Sequence, residues 1–122
     1  MAQKISLRPD LWLPPIALMA LIFFLSAQPD LSTGLGTIDL IGRKLVHMSE
    51  YALLCFLWWR ALRTVAPPGR AIVLALSLTI AYAGTDELHQ RSVHGRHGSP
   101  VDVAIDAAGA GIAALLIRRR TA

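Results

Sequence analysis

The sequence predicts an all-α polytopic membrane protein, a four-helix transmembrane bundle with both termini cytoplasmic. Three observations lead there. Of 122 residues, 54% are hydrophobic and only 16% charged, with a mean hydropathy of +0.50, whereas soluble domains carry about a quarter charged residues. The apolar residues gather into four segments divided by polar connections, and helices are how a chain satisfies its backbone in lipid. The basic residues cluster at alternate connections, which orients such a bundle. Residues 1–122 are read as a single domain, because four short spans use most of the chain.

The first segment, 11–26 ("LWLPPIALMALIFFLS"), places Pro14 and Pro15 where a helix start is expected, since early amides lack intrahelical partners in any case. Basic residues, an apolar stretch and a small-residue end give this region some marks of a cleaved leader. However, Leu25 would fill the position three before a cut after Ala27, where a small residue is wanted, and Asp10 and the double proline interrupt the front. The "LSAQ" stretch also lacks a lipoprotein cysteine. The segment is therefore expected to stay as the first span.

The second, third and fourth segments run from about 44 to 62, 70 to 88 and 100 to 117. Each is short against the ~20 helical residues that cross a hydrocarbon core, so their ends are expected in the headgroup region. The "VAPPG" stretch at 65–69 reads as a tight turn whose prolines end the second helix.

Lys4 and Arg8 precede the first span, Arg60, Arg63 and Arg70 surround the second connection, and Arg118, Arg119 and Arg120 follow the fourth. An even number of spans puts all three groups on one side, and the positive-inside rule makes that side cytoplasmic, in the plasma (inner) membrane. Loops 27–43 and 89–99 then face outward, their basic residues balanced by Asp30, Asp39, Asp86 and Glu87. Trp58 and Trp59 beside Arg60 and Arg63, and Trp12 beside Arg8, read as inner-interface anchors. Nucleic acid is discounted despite the net charge of +4, because the basic residues sit beside apolar runs. The single cysteine, Cys55, forms no internal disulfide and reads as packing.

In this topology the polar groups fall in the outer half. Lys44, His47 and Tyr51 follow an i, i+3, i+7 spacing with Glu50 beside them; Tyr82, Asp86, His89 and Gln90 share a face, as do Ser99, Asp102 and Asp106. At ~1.5 Å per residue, Glu50 lies about 9 Å deeper than Lys44 and Asp106 about 10 Å deeper than Ser99. An aspartate at a helix centre costs at least ~2.5 kcal/mol unless it faces the bundle and finds partners. A joint polar pocket is the economical reading, with pairing that merely holds helices together as the alternative. Ala104, Ala107, Ala108, Gly109, Ala110 and Gly111 would let the fourth helix approach its neighbours closely.

Four stretches, in order, resemble the VanZ-like family of small bacterial membrane proteins: "FLSAQP", "KLVHMSEY", "DELHQ" and "RHGSPVD". The resemblance runs from about Phe24 to Gly111. Its signature positions fall on Ser26, Gln28 and Pro29, on Lys44, His47 and Tyr51, on Asp86, Glu87 and Gln90, and on Arg96, Ser99 and Asp102. Three positions depart from the pattern: Arg43 stands where an acid is common, His94 where proline is usual, and Asp106 where asparagine is usual. The family takes its name from an accessory protein associated with low-level resistance to the glycopeptide teicoplanin, which implies a cell-envelope setting.

The chemistry rests on the polar groups. Lys44, Arg96 and the imidazoles can contact a phosphate or pyrophosphate. Asp86, Glu87, His47 and Asp102 are the catalytic candidates; the three acids can act as general base, as oxygen ligands of a metal or as orienters of His47 and His89. The expected partner is a membrane lipid, including an outer-leaflet envelope-lipid intermediate, with a homo-oligomer or an envelope protein as further partners. No nucleophile or specific reaction is identifiable, so whether the chain is an enzyme stays open. No cofactor is expected. No metal is expected either, because His89, His94 and His97 with Asp86 and Glu87 match no spaced ligand motif. A non-catalytic accessory subunit is the alternative. A proton-coupled transporter is weaker, because "CFLWWRAL", "IVLALSLTI" and "IAALLI" offer no continuing polar path.

Overall fold

The computed structural model describes residues 8–26, 37–92 and 100–121. These form four helices and, among the described residues, no strand: α1 (Pro9–Ser26), α2 (Thr37–Leu62), α3 (Pro68–Ser92) and α4 (Pro100–Thr121).

The start of α1 differs from the sequence expectation. The Arg8 carbonyl accepts the first amides, from Leu11 and Trp12, both at 3.0 Å, and Pro14 and Pro15 lie inside the helix. Pro14 has no N–H to give the Asp10 carbonyl four residues back. A guanidinium supplies it instead: Arg60 Nη2, from the far end of α2, donates to the Asp10 carbonyl at 3.1 Å. A tertiary contact thus offsets the gap that would otherwise place these prolines at a helix start.

α2 begins seven residues earlier than position 44, so much of the expected outer loop 27–43 is helical. Its added turns open on Thr37 and Asp39, residue types that favour a helix N-terminus even where hydropathy is low. The prolines do not end α2. It finishes at Leu62, whose carbonyl takes the amides of Val65 at 3.0 Å and Ala66 at 2.9 Å, and Pro68 opens α3 at a position where proline costs no hydrogen bond. With 26, 25 and 22 residues, α2, α3 and α4 are about 33–39 Å long, past the ~30 Å of a hydrocarbon core. They are therefore longer than the segments expected from hydropathy alone.

The helices alternate in direction. α2 and α3 are central, α1 packs on both, α4 packs on both from elsewhere, and α1 and α4 do not meet among the described residues. The most extensive pairing is between the parallel helices α2 and α4. Gly109 makes it possible: a Cβ there would lie 2.3 Å from the Met48 carbonyl oxygen and 2.9 Å from its Cα. Of the small residues on α4, this glycine is the one that backbone contact demands, since a Cβ on Gly111 meets nothing within 4 Å.

This arrangement puts the ends of the bundle in opposition. Arg8, Arg60, Arg63, Arg70 and Arg118–Arg120 sit at one end, because they occupy the start of α1, the end of α2, the start of α3 and the end of α4. Nearby, Cys55, Leu62, Ala71, Ala75, Ala110 and Ala114 form an apolar core, with the three tryptophans packed against it. Trp12 and Trp58 meet edge to face at 6.3 Å, and the Arg63 guanidinium lies 4.9 Å above the Trp59 ring. The tryptophans thus pack into the bundle as well as lying near its basic end.

Apolar residues fill the core and also cover the outside, and carboxylates are buried among them. Phe24, Leu45, Val73 and Leu115, one on each helix, are 61%, 57%, 61% and 61% exposed, while Asp86 and Asp106 are 1% and 4% exposed. Among the described residues, one helix, Pro68–His89, is long and apolar enough to cross a membrane; the apolar part of α1, Pro9–Leu25, is shorter.

Candidate functional site

The polar groups of α2, α3 and α4 meet away from the arginine-rich end. Tyr51 is fully buried, one helical turn beyond His47, and its hydroxyl donates to Asp86 Oδ2 at 3.0 Å. His47 is half-buried, with Nδ1 3.6 Å from Asp106 Oδ1. That separation is longer than a hydrogen bond. One ligand-type atom from each of His47, Asp86 and Asp106 lies within 4.8 Å of the other two. Three helices therefore bring an imidazole and two carboxylates to one point, and the close approach at Gly109, one turn from Asp106, makes the His47 to Asp106 span short.

A layer of aromatic and apolar groups surrounds this cluster. Tyr51 and Tyr82 have ring centroids 6.3 Å apart, and Ile22, Leu54 and Ala83 pack with Tyr51 in a buried core. The Tyr82 hydroxyl turns away and donates to the Met19 carbonyl of α1 at 2.5 Å. The His89 ring lies flat on Phe23, with centroids 3.9 Å apart and planes 7° apart. α1 thus holds the C-terminal half of α3 through a tyrosine bond and a histidine stack.

Such a site can take hard or borderline ligands. Buried carboxylates in low dielectric require compensating charge or hydrogen bonds, and Tyr51 provides one such bond and fixes the plane of Asp86. Toward the other end the described buried side chains are apolar apart from one threonine turned onto its own helix. The buried Thr79 hydroxyl donates to the Ala75 carbonyl at 2.7 Å.

With this geometry in view, the comparison with known families is informative: the model of the VanZ/LLP1 family matches residues 11–120. The chain belongs to the VanZ/LLP1 family. No curated protein and no solved structure matches it. VanZ/LLP1 membership, together with the helix Pro68–His89, points to a membrane protein.

The site residues expected from the sequence divide in the structure. His47, Tyr51, Asp86 and Asp106 come together, with Glu87 buried on α3 and Lys44 and Glu50 half-buried on α2. Tyr82 and His89 share the α3 face but engage α1. Ser26 ends α1, and Gln90 and Asp102 lie on α3 and α4, with side chains outside the described ones. Gln28, Pro29, Arg96 and Ser99, like His94 and His97, lie outside the described residues. Sequence reasoning missed the roles of Met19 and Phe23 in α1. The apolar run around them carries no polar signal, although an aromatic placed to face the end of α3 was the available clue.

Proposed function

We propose that this VanZ/LLP1 chain is a four-span protein of the plasma membrane, with both termini cytoplasmic, whose outward polar site binds a phosphate-bearing headgroup of an envelope lipid. The observation that carries the proposal is the burial of Asp86 and Asp106, 1% and 4% exposed, beside His47 and Tyr51 in a bundle with apolar residues outward. Ionisable groups at such depth face a bundle interior and mark binding or relay sites. The arginines at the other end support the orientation through the positive-inside rule. Lys44 and Arg96 are the phosphate-contacting groups in this reading, with Ser26, Gln28, Glu50, Glu87, His89, Gln90, Ser99 and Asp102 completing the site. Any effect on teicoplanin susceptibility would run through the bound lipid.

Native mass spectrometry of the detergent-purified chain, compared with Glu87→Gln and Arg96→Ala, tests this. A defined phospholipid or polyprenyl phosphate retained by the parent and lost in both variants is expected. Equal, unselective lipid retention in all three refutes it.

A second reading, a non-catalytic accessory subunit, is favoured by a different observation. The Tyr51–Asp86 bond and the His47–Asp106 approach each join two helices, so the same groups can serve to hold the bundle for a protein partner. Conduction through the chain is disfavoured, since the core from Cys55 to Leu62 and from Ala110 to Ala114 is apolar.

A further inference from the structure

We propose that His47, Asp86 and Asp106 bind a divalent first-row cation, Zn²⁺ or Mn²⁺. The three residues come from three helices, and their ligand atoms lie within 4.8 Å of one another. The His47 Nδ1 to Asp106 Oδ1 distance of 3.6 Å is too long for a hydrogen bond. It is close to the edge of a tetrahedral site, where ligands at ~2.1 Å from the ion stand about 3.4 Å apart, while the wider separations, up to 4.8 Å, require the carboxylates to draw in when the ion binds. One imidazole and two carboxylates match the borderline character of zinc and manganese and lack the thiolates of a structural zinc site.

Charge and support point the same way. A divalent ion at this point would lie against both buried carboxylates and offset their charge. The Tyr51 hydroxyl holds Asp86 through Oδ2 at 3.0 Å, as groups outside a metal's own ligands commonly do. Gly109 lets α4 approach α2 closely enough for Asp106 to reach His47. Asp106 and Asp86 are nearly inaccessible to solvent, unlike the exposed acidic patches that gather without any ion. Three protein ligands leave a coordination position for water or a phosphate oxygen.

No local spacing announces this set, because the ligands are 39 and 20 residues apart along the chain. The site is also distinct from a set built on His89, His94 and His97.

The test uses the full, tag-free chain in detergent, stripped with chelator and titrated with Zn²⁺ and with Mn²⁺ by calorimetry, with Co²⁺ absorbance as a second readout. The parent, the Gly111→Ala chain and the His94→Gln/His97→Gln chain are expected to take up one ion per chain. Tyr51→Phe should weaken uptake by about 10–100-fold, and Asp106→Asn and His47→Gln by more. Absence of saturable uptake by the folded parent overturns the proposal, as does uptake unchanged in both ligand variants or lost with His94 and His97. If the ligand variants fail to fold, Co²⁺ in the His94→Gln/His97→Gln chain decides: a spectrum without imidazole coordination overturns the site. Metal uptake is read by calorimetry and Co²⁺ absorbance and lipid retention by native mass spectrometry, so failure of one is distinguished from failure of the other.

Discussion

Gly109→Ala is the sharpest probe of how the bundle holds its polar groups. The new methyl carbon would lie 2.3 Å from the Met48 carbonyl oxygen, 2.9 Å from its Cα and 3.0 Å from its carbonyl carbon, against an ordinary contact of 3.4 Å or more. All three atoms are backbone, so no side chain can swing aside, and α2 must retreat from α4 by about 1 Å to restore normal packing distances. Overpacking of this kind costs ~1–3 kcal/mol, and the backbone contact places this case at the upper end. The helical preference for alanine over glycine returns only ~0.5–1 kcal/mol. Gly111→Ala is the matched control: it makes the same chemical change on the same helix, where the added carbon meets nothing within 4 Å. Denaturant unfolding in detergent, followed by tryptophan fluorescence, should show Gly109→Ala destabilised by about 2 kcal/mol and Gly111→Ala stabilised by ~0.5–1 kcal/mol. If both variants move in the same direction by similar amounts, the close approach of α2 and α4 is refuted.

Two further outcomes follow from other contacts. Arg60→Ala should destabilise by ~0.5–1.5 kcal/mol, the net worth of a solvent-exposed hydrogen bond to the Asp10 carbonyl. The loss should shrink when Pro14→Ala restores the intrahelical amide, a coupling that a double-mutant unfolding cycle measures and that additivity would disprove. Cys55, 1% exposed, should resist maleimide until the protein unfolds. This gives a silent background in which Ser99→Cys labels from outside intact cells and Arg119→Cys does not; the reverse pattern inverts the proposed topology.

The number and type of helices were legible because apolar runs bounded by polar connections admit few other structures. The boundaries were less so. α2 gains its first turns from "TIDLIGR", where a glycine and charges lower hydropathy and hide the helix from a reading based on apolar runs. Pro14 and Pro15 misled for a tertiary reason, since Arg60 lies 50 residues from the carbonyl it serves. In the candidate site, the helical spacing placed His47 with Tyr51 and Tyr82 with Asp86 on common faces. It did not reveal which partner each would choose: Tyr51 takes Asp86, while Tyr82 and His89 turn to Met19 and Phe23. Asp106 stood out as a departure from the family pattern, and only the packing at Gly109 shows that it reaches His47.

The parallel pairing of α2 with α4 also sets an order of assembly. His47, Tyr51 and Asp86 emerge from the ribosome before Asp106 and Gly109, which belong to a later helix. Until α4 docks, the partners on α2 and α3 must rest against water, lipid or a chaperone, and the most extensive helix interface closes only when α4 arrives. The tyrosine bond joins α2 to α3 without α4, whereas the cluster needs all three helices. Completion of the polar centre is thereby tied to the docking of α4.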